Sequence, residues 1–347
     1  MSVPRLWSVL AYGSAAVLVL LGLHFARSII APVTCAVVTV AVVWPLLCRL
    51  ERHIPRPLAI LAVMVATLVA LVIVAGLAAW GFSRVGQWVF ANGAYLQALY
   101  VQQVAWLETQ GVGFGDLAAA QFDLTTLLRY AQGVTGALRD FLTFTGLTLL
   151  FALLGLLEVH GFRDRLAAQP GEAAALALRS CGKLARKLQT YMVVRTGMSL
   201  LTGLGVGIFA HLTGLELAVE WGVIAFALNY IPFIGPLAAT VLPTALAGLQ
   251  FGSWNMAIAV FLGMNAIQLA IGSYLEPRMT GAALSISAFG VLFAVFFWML
   301  VWGVAGAFLG TPILIALLTA CEEHPSTRWL PELLSGKGGA QDAQERR

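Results

Sequence analysis

The run Asn229-Tyr-Ile-Pro-Phe-Ile-Gly-Pro236 lies inside a window, residues 221–275, that carries no Lys, Arg, Asp or Glu. An uncharged apolar window of that length belongs in a bilayer. A helix rises about 1.5 Å per residue, so ~20 residues cross a hydrocarbon core of about 30 Å. Yet Pro232, Gly235 and Pro236 do not suit the middle of one spanning helix. Each proline removes a backbone donor and clashes with the turn before it. In hydrocarbon the freed carbonyls would go unsatisfied, at several kcal/mol each. The interruption must therefore be buried in protein or border water.

The rest of the chain supports a bilayer as solvent. Of 347 residues, 60% are hydrophobic and 10% charged, against about 25% charged in a soluble domain. The mean hydropathy is +0.89. So few charges cannot cover a soluble surface, and the same composition excludes a disordered chain or a secreted disulfide scaffold. Cys35, Cys48, Cys181 and Cys321 lack metal-like spacing and are expected to behave as small hydrophobes. The apolar run after Arg5 is longer than a signal core and is taken as an uncleaved first span.

Further uncharged windows cover residues 6–26, 28–48, 57–83, 141–157, 196–215 and 279–321. The first five hold one span each, 221–275 holds two, and 279–321 is long for one. The expected fold is an all-α membrane protein with about eight transmembrane helices, or nine. It has Pro- and Gly-broken helices in its C-terminal half and an amphipathic helical insert between spans 3 and 4. A three-span unit over 1–82 precedes that insert at 83–140. Span 4 and a basic helix follow over 141–195, then a C-terminal core at 196–321 and a partly disordered tail at 322–347.

With the N-terminus inside, fifteen of the 20 basic residues fall on the cytoplasmic side, as the positive-inside rule requires. Both termini are thus expected to be cytoplasmic. The net charge of +4 reads as orientation charge, so no nucleic-acid partner is implied.

In the insert, Val85, Trp88, Val89, Leu96, Leu99, Tyr100, Val104 and Leu107 recur at helical spacing. A break at Gly111–Gly115 and a second helix capped by Asp123 follow. This pair is expected to lie on the membrane or on a neighbouring subunit, with a ligand-binding cap as the alternative. Farther on, Arg179, Lys183 and Lys187 repeat every four residues, with Arg186 beside them. Such a stripe suits anionic lipid.

Catalytic material is sparse. His24, His53, His160, His211 and His324 are scattered, and HExxH, CxxC, GxSxG and phosphate-loop motifs are absent from the sequence. No enzymatic role, metal or cofactor is implied. The interruption at Asn229–Pro236 is the informative feature, because secondary transporters hold substrate at discontinuous helices. The candidate pathway residues there are Asn229, Tyr230, Pro232, Gly235 and Pro236. A second interrupted segment, Trp302-Gly-Val-Ala-Gly-Ala-Phe-Leu-Gly-Thr-Pro312, adds Gly303, Gly306, Gly310, Thr311 and Pro312. Between them, Leu275-Glu-Pro-Arg278 is either a solvated loop or a pair that dips into the protein. In the latter case Glu276 is the candidate for coupling to a proton or cation, with Arg278 as its companion.

These three motifs together resemble the autoinducer-2 exporter family. Pro32 and Pro45 framing the second span, the basic loop Arg49–Arg56 and the insert after span 3 are also similar. The resemblance spans nearly the whole chain. It implies a polytopic transporter of the bacterial inner membrane, in contact with lipid and assembled as a homo-oligomer, with a pentamer the expected state. It also implies a small polar solute such as autoinducer-2 as cargo for export, or Na+ (or Li+)/H+ antiport as the alternative. Arg195 and Thr196, at the entrance of the fifth span, depart from the polar or small pair familiar there.

Overall fold

The computed structural model describes residues 3–95, 98, 124–280, 286–323 and 327–334. The described elements are helical: α1 Val3–Phe25, α2 Arg27–Leu50, α3 Arg56–Ala91, α4 Leu124–Ala167 and α5 Glu172–Leu212. Then come α6 Ala218–Leu228, α7 Ile234–Phe251, α8 Trp254–Gln268, a π-helical segment Leu269–Leu275 and α9 Glu276–Thr280. The chain continues with α10 Ala288–Trp302, α11 Val304–Glu323 and α12 Trp329–Leu334.

Seven of these helices are long and apolar enough to cross a membrane: α2, α3, Arg139–Ala167 of α4, α5, α7, Trp254–Leu275 and α11. The first window counted in the sequence is represented by the shorter apolar run Tyr12–Phe25. Leu18, Leu61, Leu150, Leu204, Ile258 and Leu300 are among many large apolar side chains left exposed, as a lipid solvent permits. The Gly111–Gly115 break, the Asp123 cap and the tail from Ser335 onward lie outside the described residues. The helix of the third span does not stop at residue 83 but runs on to Ala91.

The chain divides into two compact units. The first comprises Met1–Leu68, Thr143–Val193 and Thr280–Arg347. It contains an antiparallel hairpin of α10 and α11, turned at Gly303 (φ 66°, ψ −141°), a conformation that suits glycine because it has no Cβ. The helices touch backbone to backbone. A Cβ on Gly306 would stand 1.8 Å from the Trp298 carbonyl oxygen, and one on Gly310 would stand 2.8 Å from that of Ala294. Small residues allow this approach, which replaces a hydrophobic driving force that lipid cannot supply. The 15 residues of α10 rise only ~22 Å, short of the ~30 Å hydrocarbon core. The window 279–321 is therefore a short helix turning back into a spanning one. α1 is tied to this hairpin by Trp302 Nε1, which donates to Leu23 O at 3.1 Å, and by His24 Nδ1, which donates to Val301 O at 2.8 Å.

The same unit gives the basic stripe a different role from the one its spacing suggests. Lys183 Nζ lies 2.7 Å from Glu322 and 3.3 Å from Glu323, and Lys187 Nζ lies 2.8 Å from Glu322. Two of the four basic residues thus bind the end of α11.

The second unit comprises Val69–Leu142 and Val194–Met279. Its core includes Val206, Ile224, Ala225, Ala239, Val260 and Met264. The C-terminal half of α5 runs against α6 through glycines: a Cβ on Gly203 would meet Gly222 O at 2.7 Å, and one on Gly222 would meet Gly203 O at 2.8 Å. Gly263 of α8 leaves room for the Phe209 ring of α5. Arg84 and Glu220 pair at 3.3 Å at the start of α6, and Trp88 Nε1 donates to the Glu216 carboxylate nearby.

Candidate functional site

The interruption at residues 229–236 separates α6, of 11 residues, from α7. Its turn is tight. Ile231 N donates to Leu228 O at 2.9 Å, Ile234 N to Pro232 O at 2.7 Å and Gly235 N to Ile231 O at 2.9 Å. Phe233 sits between Pro232 and Ile234 with φ 63° and ψ −49°. That is a γ-turn of the strained hand. A non-glycine residue held there costs about 1–3 kcal/mol, and such strain clusters at ligand sites and switches. Gly235 has no substitute at its position, since a Cβ would stand 2.0 Å from Leu228 O.

The break presents polar groups to one face of α5. Asn229, 5% exposed, donates from Nδ2 to Ser199 Oγ at 3.3 Å. Tyr230 donates its hydroxyl to Thr196 Oγ1 at 3.1 Å. One turn before Ser199 on that face, Arg195 reaches Glu276: Nη1 donates to Oε1 at 2.9 Å and to Oε2 at 3.1 Å. Arg195 is also 5% exposed. Thr202, one further turn along, is buried too. Arg195, Ser199 and Thr202 thus form a buried polar stripe on the membrane-embedded C-terminal half of α5. Buried polar groups inside a membrane protein are costly and mark function by default.

Glu276 arrives through the π-helical segment Leu269–Leu275, whose extra residue per turn alters the face that follows. Such insertions occur frequently at functional sites. Arg278 does not join Glu276. It is exposed, with its guanidinium carbon 3.8 Å from the centre of the Tyr274 ring, a cation–π contact.

Gly303, Gly306, Gly310, Thr311 and Pro312 belong to the hairpin of the first unit. Their surroundings are glycine, carbonyl and aromatic rather than charged. Trp298 and Trp302 pack with ring centres 4.5 Å apart. Thr311 is 4% exposed and its hydroxyl has no hydrogen-bond partner among the described residues. Other helical threonines, such as Thr319, donate to the carbonyl four residues back.

The sequence matches that of one known group of membrane proteins. The profile described as AI-2E family transporter matches residues 14–326. The chain belongs to this family. It is 30% identical over 331 residues to the AI-2 transport protein TqsA of Escherichia coli strain K12, covering 92% of this chain and 93% of that one. It is 27% identical to YhhT of the same organism over 303 residues, covering 86% and 85%. A Haemophilus influenzae protein is 34% identical over 137 residues, covering 40% and 39%. This AI-2E family member is accordingly a multi-pass membrane transporter.

Sequence reasoning singled out Asn229, Tyr230 and Glu276 but did not join them. It missed Arg195 as the partner of Glu276, and Thr196 and Ser199 as partners of the break. A signal was present: Arg195, Thr196, Ser199 and Thr202 recur at helical spacing at the mouth of an uncharged window.

Proposed function

We propose that this transporter is secondary-active and moves a small polar solute outward across the bacterial inner membrane, with both termini in the cytoplasm. Asn229, Tyr230 and the strained backbone from Pro232 through Gly235 to Pro236 contact the solute, and Glu276 with Arg195 supplies the ionisable partner. The carrying observation is the buried polar stripe of α5 facing an interrupted helix. Broken membrane helices offer backbone and side-chain donors that an intact helix has already used. Gly303, Gly306, Gly310, Thr311 and Pro312 are proposed as pathway residues on the same helix-break argument. Their chemistry is one hydroxyl and close-packed backbone.

The name of TqsA suggests autoinducer-2 as one cargo to test. Na+ (or Li+)/H+ exchange is the weaker reading. It needs a carboxylate available to a cation, and Glu276, the carboxylate at the site, is already held by Arg195. The test is reconstitution of the purified protein into liposomes loaded with labelled polar solutes, autoinducer-2 among them. The expected result is release that falls about tenfold in Asn229→Ala, which removes a buried hydrogen-bonding amide. Release identical in the variant and the parent would reject the assignment.

A further inference from the structure

We infer that the site takes a small carboxylate solute on Arg195 and a proton on Glu276 together. The inference rests on the transport function proposed above and names its substrate class. Arg195 grips Glu276 through one nitrogen only, Nη1, at 2.9 and 3.1 Å. Its Nε and Nη2 are buried and have no hydrogen-bond partner among the described residues. Those two nitrogens share one edge of the planar guanidinium. That edge carries two parallel N–H groups, the fork that binds a carboxylate by two bonds at once. The ion pair inside the protein uses the poorer end of the group and leaves the better edge for something else. The Thr196 and Ser199 hydroxyls, one and four residues further along α5, and the Asn229 amide add partners for a hydroxyl or keto group next to such a carboxylate.

Charge then dictates the proton. Arg195 and Glu276 neutralise each other. A carboxylate added on the buried Arg195 leaves one uncompensated negative charge beside a Glu276 that is only partly exposed, which is disfavoured. A proton taken from water onto a Glu276 oxygen restores neutrality. Arg195 on α5 pairs with Glu276, Tyr274 and Arg278 lie on its own segment, and Tyr230 at the break bonds Thr196, the neighbour of Arg195 in sequence. Glu220, at the opposite end of α6, is matched by Arg84. The empty and the loaded site are both neutral, so the solute and the proton move as a unit and the solute's own gradient can drive them.

The experiment uses the full chain in liposomes with labelled lactate, lactamide as its neutral isostere, and an internal pH indicator. The expected result is lactate flux with one proton per lactate, insensitive to an imposed membrane potential, and lactamide flux at least about tenfold slower. Glu276→Gln should carry lactate without the proton and become sensitive to potential. Arg195→Lys keeps the charge and loses the fork, so half-saturation for lactate should rise at least about tenfold. This variant guards against misfolding of Arg195→Gln. Lactamide moving as fast as lactate, or lactate unaffected by Arg195→Lys, would overturn the carboxylate assignment and leave a polar-solute transporter standing. Well-folded wild type that moves neither these probes nor any neutral polar solute would overturn both.

Discussion

Gly235 and Gly306 occupy matching places, each a glycine just past a helix break whose Cβ would strike a carbonyl oxygen, Leu228 at 2.0 Å and Trp298 at 1.8 Å. Around them the two regions diverge. The break at α6–α7 faces Arg195, Thr196 and Ser199 and is bent through a strained Phe233. The α10–α11 turn uses a glycine for its positive φ and is lined by Trp298 and Trp302, with Thr311 the lone buried hydroxyl lacking a partner there among the described residues. Glycine and proline therefore mark where a membrane helix stops, and the neighbouring helix decides whether the stop carries chemistry. In the first case the backbone is opened toward polar groups. In the second it is closed on itself by close packing.

The largest effects should be common to both regions. Gly235→Val and Gly306→Val force a side chain into a carbonyl in a dense core, and each should cost more than about 3 kcal/mol. Thermal melting in detergent should show loss of folded protein for both. A variant that melts within a few degrees of the parent would show that its turn is slack. Next, Arg195→Gln leaves the half-buried Glu276 without its partner, a loss of about 1–3 kcal/mol. Transport should fall by about a hundredfold, and the Arg195→Gln/Glu276→Gln double variant should melt higher than Arg195→Gln alone. A double variant no more stable than the single one would mean that the pair is solvated.

Smaller changes separate the two regions. Asn229→Ala should lower flux about tenfold. The near-isosteric Thr311→Val should lower flux less, about fivefold, because the hydroxyl it removes has no hydrogen-bond partner among the described residues. Equal effects would erase the distinction. The smallest change is Tyr230→Phe, which loses one hydrogen bond to Thr196 worth about 1 kcal/mol and should slow flux about threefold in the same assay.

The helical membrane architecture was legible because lipid demands ~20 uncharged residues per span, and charge is easy to count. The stop near Pro232 was legible because proline cannot donate its nitrogen. Gly303 was less so, since one glycine in an apolar run does not reveal a reversal. The Arg195–Glu276 pair was hidden for two reasons. Its members are 81 residues apart, and a π-helical segment shifts the face on which Glu276 emerges. The lysines misled because a four-residue spacing describes one helix face and not what covers it. Glu322 and Glu323 cover Lys183 and Lys187 in the structure.

The central claim is that the α6–α7 break borders water along a solute route. Thiol accessibility tests it most directly. With Cys35, Cys48, Cys181 and Cys321 replaced by serine, Tyr230→Cys and Ala225→Cys are exposed in intact membranes to a charged, membrane-impermeant methanethiosulfonate. The account predicts fast reaction at position 230 and none at 225, which is fully buried in the apolar core. Position 230 as inert as position 225, in folded protein, would contradict it.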